Sequence, residues 1–207
     1  MAYDLGVAGN RDLLALIRAM GCGNGDTVVQ ALSADPELAN ARLERAEELF
    51  VPECHAQVYA GDTLLHAAAF TCDVETARAL VSARADVHAK NRRGAEPLHS
   101  AVIGSPGSDR WNPDAQVAMI AYLVEAGADP NARASGGVTP LHRAVRNRCT
   151  PAVQALLSAG ADRQATNDSG STALMLAHWT TGRPGSGSPE AKDEQERIIA
   201  ILTSTVR

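Results

Sequence analysis

The 207-residue chain reads as an all-α protein, a solenoid of about five helix-turn-helix units joined by hairpin-like loops and carrying three insertions. Three observations predict it. The segments Gly61-Asp62-Thr63-Leu64-Leu65-His66, Gly94-Ala95-Glu96-Pro97-Leu98-His99, Gly137-Val138-Thr139-Pro140-Leu141-His142 and Gly170-Ser171-Thr172-Ala173-Leu174-Met175 align, with glycines 33, 43 and 33 residues apart. A second series, Leu80 to Asp86, Leu123 to Asp129 and Leu156 to Asp162, has aspartates 43 and 33 residues apart. Two series that share one period and one ten-residue excess mark repeated units. The third observation is composition: hydrophobic residues make up 45% of the chain and aromatics only 3%, so small side chains let helix pack closely on helix.

The units follow in order. Residues 11–40 form a divergent N-terminal cap, with Leu13, Leu14 and Ile17 on one helix and Val28, Val29 and Leu32 on the next. Gly21-Cys22-Gly23-Asn24-Gly25 joins those helices; it follows no strand, so it is a loop and not a phosphate cradle. Residues 61–93, 94–136 and 137–169 are the central units. In the last of these, Thr139 caps a helix through a free backbone N–H, and Pro140 takes the first helical position, where a missing N–H costs nothing. Leu141, Ala144 and Val145 form the apolar stripe of the first helix, and Val153, Leu156 and Leu157 that of the second. Gly160 ends the second helix in a left-handed conformation, and Asp162 and Asn167 supply the turn chemistry that follows. Residues 170–207 form the C-terminal cap, closing with Ile198, Ile199, Ile201 and Leu202; a terminal unit must turn one face to water.

These motifs resemble the ankyrin repeat, G-x-T-P-L-H-x-A with a downstream L-L-x-x-G-A-D, over roughly residues 11–207. The resemblance implies that His66, His99 and His142 are structural, bonding backbone between neighbouring repeats. It also implies a protein-interaction module that binds through its hairpin tips and the inner surface of its first helices. Three departures from the pattern stand out: Glu96 in place of the capping Thr, Leu64 in place of Pro, and Arg84 in place of the helix-ending Gly. A non-glycine residue held left-handed costs about 1–2 kcal/mol.

Composition narrows the function. A formal net charge of -5 and a pI of about 5.7 argue against a dedicated nucleic-acid binder. No apolar run reaches the length of a membrane span, and Met1-Ala2-Tyr3-Asp4 does not begin a signal peptide. Cys22, Cys54, Cys72 and Cys149 match no zinc spacing, and reduced thiols in the cytoplasm are the simplest reading. Arginine dominates the cations, since Lys90 and Lys192 are the only lysines; the Ala, Arg and Gly skew fits a GC-rich bacterial coding sequence.

The register of the repeat selects the residues that would meet a partner. Lys90, Arg92, Arg93, Arg133, Arg143 and Arg146 would make a basic concave face, with Tyr59 at a hairpin tip and Phe70, Ile103 and Trp179 as apolar anchors. Arginine with aromatics is the usual composition of an interface hot spot, so the expected partner is another protein, acidic at the contact with an apolar centre. Against this stands neutralisation of the cations by Asp62, Asp86 or Glu96, and packing of Trp179 beneath the loop that follows it. The insertions fall near 41–60, 104–113 (with Trp111) and 182–189, and read either as tolerated surface loops or as functional additions.

No cofactor, metal or catalytic residue is expected. Adjacent Cys54 and His55 point to opposite sides of an extended chain, which makes a poor nucleophile–base pair. The sequence therefore predicts a cytoplasmic binding module: an adaptor, a regulator or a neutraliser of an effector. The alternative is a small-molecule-binding or catalytic protein that uses the concave groove and the 41–60 insertion.

Overall fold

A computed structural model of the chain describes residues 10–44, 49–51, 56–103, 111–180 and 189–204. The expected helix pairs are present. They are α1 (Asn10–Gly21) with α2 (Gly25–Ala34), α3 (Leu64–Thr71) with α4 (Val74–Ser82), α5 (Pro97–Ala101) with α6 (Pro113–Glu125), α7 (Pro140–Arg146) with α8 (Thr150–Ser158), and α9 (Ala173–Thr180) with α10 (Pro189–Thr203). First helices pack on first helices (α1 on α3, α3 on α5, α5 on α7, α7 on α9), and second on second, so the molecule is two helical layers thick. Each helix is too short to be stable alone and takes its stability from the apolar stripe it buries. Leu65, Leu98 and Leu141 of successive first helices, and Leu80, Leu123 and Leu156 of successive second helices, are all completely or almost completely buried.

The sequence signals act as the physics requires. Thr139 Oγ1 accepts from the His142 N–H (3.4 Å), and the Thr139 N–H donates to His142 Nδ1 (3.3 Å), so the two residues cap α7 reciprocally. With Nδ1 accepting, Nε2 carries the proton and donates to the Ser171 carbonyl of the next unit (3.0 Å). His66 reaches the Ala95 carbonyl in the same way (3.0 Å), and His99 the Val138 carbonyl (3.1 Å). Glu96 takes over the capping position without loss of this arrangement: its N–H donates to His99 Nδ1 (3.2 Å). Gly160 is left-handed (φ 89°), and Arg84 adopts that conformation too (φ 65°) despite its side chain.

A second stitch between units was not read from the sequence. The tripeptide Asn-Ala-Arg occurs at 40–42 and again at 131–133. Asn131 accepts from the Asp162 N–H (2.7 Å) and donates to the Gly160 carbonyl (3.2 Å), while Arg133 donates to the Thr166 carbonyl (2.8 Å). Asn40 does the same with Asp86 (2.8 Å) and Arg84 (2.9 Å), and Arg42 with the Lys90 carbonyl (2.9 Å).

Two insertions differ from plain loops. Within 41–60, β1 (Leu49–Val51) and β2 (Ala56–Val58) pair antiparallel, Phe50 opposite Gln57. Side chains alternate across a strand, so Val51 and Val58 are buried while Phe50 and Gln57 face out. From the 104–113 insertion, Trp111 is half-buried against the core and its indole N–H donates to Gln116 Oε1 (3.1 Å). Gln116 is itself buried; its amide donates to the Ala101 carbonyl (2.9 Å), and Cys149 Sγ donates to its Oε1 (2.8 Å). Trp111 thus fastens the insertion to the core. The 182–188 stretch of the third insertion, and the pair Cys54–His55, lie outside the described residues.

Candidate binding groove

Three layers of structure meet at one open groove of about 830 Å³. The hairpin contributes Phe50 and Gln57 to its lining. The ends of the first helices contribute Phe70 after six residues of α3, Ile103 just past α5, and Arg143, Arg146 and Asn147 at the end of α7. The loop tips contribute Tyr59, Arg92, Arg93, Ser135 and Val138. Seven of the residues selected from the sequence therefore converge: Tyr59, Phe70, Arg92, Arg93, Ile103, Arg143 and Arg146.

The tips stand where they do because their turns are locked. Asn91 Oδ1 accepts from the N–H groups of Arg93 (2.9 Å) and Ala95 (3.1 Å), which fixes the turn that carries Arg92 and Arg93. Asp62, buried, accepts from the Tyr59 N–H and from the Asn91 amide (2.8 Å), tying one tip to the next. Tyr59 then offers its ring to both arginines, with the Arg93 guanidinium 4.6 Å and the Arg92 guanidinium 5.5 Å from its centroid. Its hydroxyl donates to Gln57 Oε1 (3.0 Å), joining the tip to the hairpin.

Arg143 forms part of the floor. Its Nη1 donates to the His99 carbonyl (3.0 Å), and Asn147 donates likewise to the Val102 carbonyl (3.2 Å). Burial pushes the Arg143 guanidinium below its ordinary pKa; Tyr59 and Asp62 oppose the shift, and Arg146 and Arg93 add to it. No carboxylate is among the described residues of the lining, and among the described residues no acid forms an ion pair with Arg143 or Arg146.

The other selected residues stand apart from the groove lining. Lys90 Nζ lies 3.6 Å from Glu96 Oε1, and Arg133 Nη2 lies 2.8 Å from Asp168 Oδ1, so each has an acid of this chain at hand. Arg133 is also spent on the Thr166 carbonyl. Trp179 belongs to α9, and its side chain lies outside the described residues. Phe50 and Gln57 were missed by the sequence reading because they sit in the insertion and outside the repeat register.

Chemically the described lining can grip but has little with which to react. Its described lining contains no carboxylate, imidazole or thiol. A small recess beside it reaches Asp62 and His66, but both are engaged: His66 with Thr63 and the Ala95 carbonyl, Asp62 with Tyr59 and Asn91. Burial pushes the Cys72 and Cys149 thiols up to about 11, away from the thiolate a nucleophile needs. Among the described residues no cluster of His, Cys, Asp or Glu could hold a metal, and no helix is long and apolar enough to cross a membrane.

Comparison with known proteins agrees with the geometry. Residues 16–134 match the family described as ankyrin repeats in three copies, and residues 123–177 match the description of ankyrin repeats in many copies. No curated protein matches the chain.

Proposed function

The chain belongs to the ankyrin-repeat family, whose members are generally protein-protein interaction modules and typically non-catalytic, and on that premise we propose that it acts as a single domain holding another protein in the groove between its first helices, loop tips and hairpin. The observation that carries this reading is the meeting of Arg92, Arg93, Arg143 and Arg146 with Phe50, Tyr59, Phe70 and Ile103 on one open surface. Aromatic and arginine side chains dominate binding hot spots because they combine large contact area with directed hydrogen bonds. The partner is acidic and apolar at the contact, and the protein serves as an adaptor, a regulator or a neutraliser of an effector. Four cysteines whose spacing matches no zinc site suit a reducing compartment, the cytoplasm.

The test is recovery of the native partner by the tagged chain and by a Phe50→Ala/Arg93→Glu/Arg146→Glu variant, with co-purifying proteins identified by mass spectrometry. All three side chains are exposed, and Arg143 is left intact because it bonds the backbone. A partner recovered by the parent protein and lost by the folded variant supports the groove. Equal recovery by both places the binding surface elsewhere.

A further inference from the structure

The geometry points to an anion subsite on Arg143: the groove receives an extended segment of a protein partner whose aspartate or glutamate side chain sits on Arg143 and Arg146, with a neighbouring apolar side chain among Phe50, Phe70 and Ile103. This rests on the protein-binding reading above and specifies its ligand. The chain's other well-placed cations show why Arg143 differs. Arg42 faces Asp86 at 3.8 Å, Lys90 faces Glu96 at 3.6 Å and Arg133 faces Asp168 at 2.8 Å. Arg143 and Arg146 have no acid within ion-pair distance among the described residues, although Arg143 is only partly exposed and two like charges, Arg146 and Arg93, act on it against the more distant Asp62. Asp62 acts on Arg143 from the adjoining recess but forms no ion pair with it, and a partly buried guanidinium without a contacting carboxylate carries an electrostatic cost that an incoming one relieves.

The guanidinium is also pre-aimed. Its bond to the His99 carbonyl uses one N–H and holds the planar fork in place, leaving its remaining donors for an oxyanion. The apolar walls then matter twice. Phe50 is 56% and Ile103 40% exposed, area that a partner's apolar side chain would cover. Covering it excludes water from the neighbouring charge pair, which strengthens that pair.

The same observations disfavour a polyanion. The chain carries 24 acidic against 19 basic residues, so long-range repulsion opposes a nucleic acid. The groove is of the size that takes a drug-sized ligand or a few extended residues, about 300–1,000 Å³. Along an extended segment alternate side chains share a face, so an acid and an apolar residue within two positions of each other suit both subsites.

The experiment selects random heptapeptides displayed on phage against the full chain, then measures a synthetic selected peptide by fluorescence anisotropy. Selected sequences are expected to carry Asp or Glu within two positions of Leu, Ile or Phe. Binding is expected to weaken at least about tenfold for Arg143→Gln, for Arg146→Gln, and for the peptide with its acid changed to the amide, as loss of a charge-assisted bond requires. Arg146 is exposed, so its variant keeps the test decisive if Arg143→Gln does not fold. Peptides without acids that lose affinity for Phe50→Ala overturn the anion subsite but leave groove binding standing. Peptides indifferent to both Phe50→Ala and Arg146→Gln overturn both. Absence of any enriched motif overturns the inference, as does a single-stranded oligonucleotide or citrate that competes for Arg143 more tightly than any peptide.

Discussion

Acid should weaken this protein through one buried imidazole, His99, by an amount the structure allows to be worked out. His99 is fully buried; its Nδ1 accepts from Glu96, and its Nε2 donates to the Val138 carbonyl. Protonating Nδ1 would set N–H against N–H in a fully buried site. Burial first, and the Arg143 charge second, lower its pKa from 6.5 to about 4. The folded-state value lies below the unfolded one, so the unfolded chain takes up the proton first as pH falls. The stabilisation is complete above about pH 6.5 and is lost progressively as pH falls towards 4. Between pH 7 and pH 5 the loss is about 2 kcal/mol, at ~1.4 kcal/mol per unit of difference. Urea unfolding of the parent and of His99→Gln, which keeps a donor for Val138, measures it. The parent should lose about 2 kcal/mol more than the variant over that range. His66 and His142 shift in the same direction and are present in both proteins, so they cancel apart from the repulsion between His66 and His99. Equal pH slopes would refute the assignment of the acid sensitivity to His99.

Three further predictions test the backbone and the packing. Arg84→Gly removes a left-handed penalty of about 1–2 kcal/mol and adds about 0.5–1 kcal/mol of unfolded-chain entropy; thermal melting should show a net gain, and a lower midpoint would contradict the strain at φ 65°. Gly137→Ala should cost more than Gly160→Ala in urea unfolding. Both positions are left-handed, but a methyl at 137 would lie 2.8 Å from the Asp168 backbone N and strike the Arg133–Asp168 pair, whereas one at 160 meets nothing within 4 Å. Gln116→Leu should destabilise by about 2–3 kcal/mol, because it orphans the Ala101 carbonyl and the Trp111 indole together; a neutral result would mean that water replaces the amide.

The repeats were legible because their signals are local: a capping Thr, a first-turn Pro, a helix-ending Gly and an aspartate at the next turn act within a few residues and recur at a fixed spacing. The binding groove was legible in part, since register alone brings Arg93, Arg143 and Phe70 to one side. Register cannot tell Arg133 from Arg143. Both are arginines on the inner side, but only the folded chain shows one donating to Thr166 and Asp168 and the other donating to the His99 carbonyl with no ion pair among the described residues. The matching Asn-Ala-Arg tripeptides were the available hint that Arg133 serves the array. The hairpin was illegible for a different reason. Each strand has three residues, too few for alternation to stand out from chance, and its pairing forms across a connecting stretch of the chain.

That hairpin frees the protein from a constraint of its own architecture. A repeat array changes size only in whole units, so the breadth of any surface spread across it comes in steps. Phe50 and Gln57 face each other on the open side of a ribbon anchored from behind by Val51 and Val58. The mouth of the groove can therefore be widened, narrowed or recharged one side chain at a time, while the stacked units behind it keep their spacing.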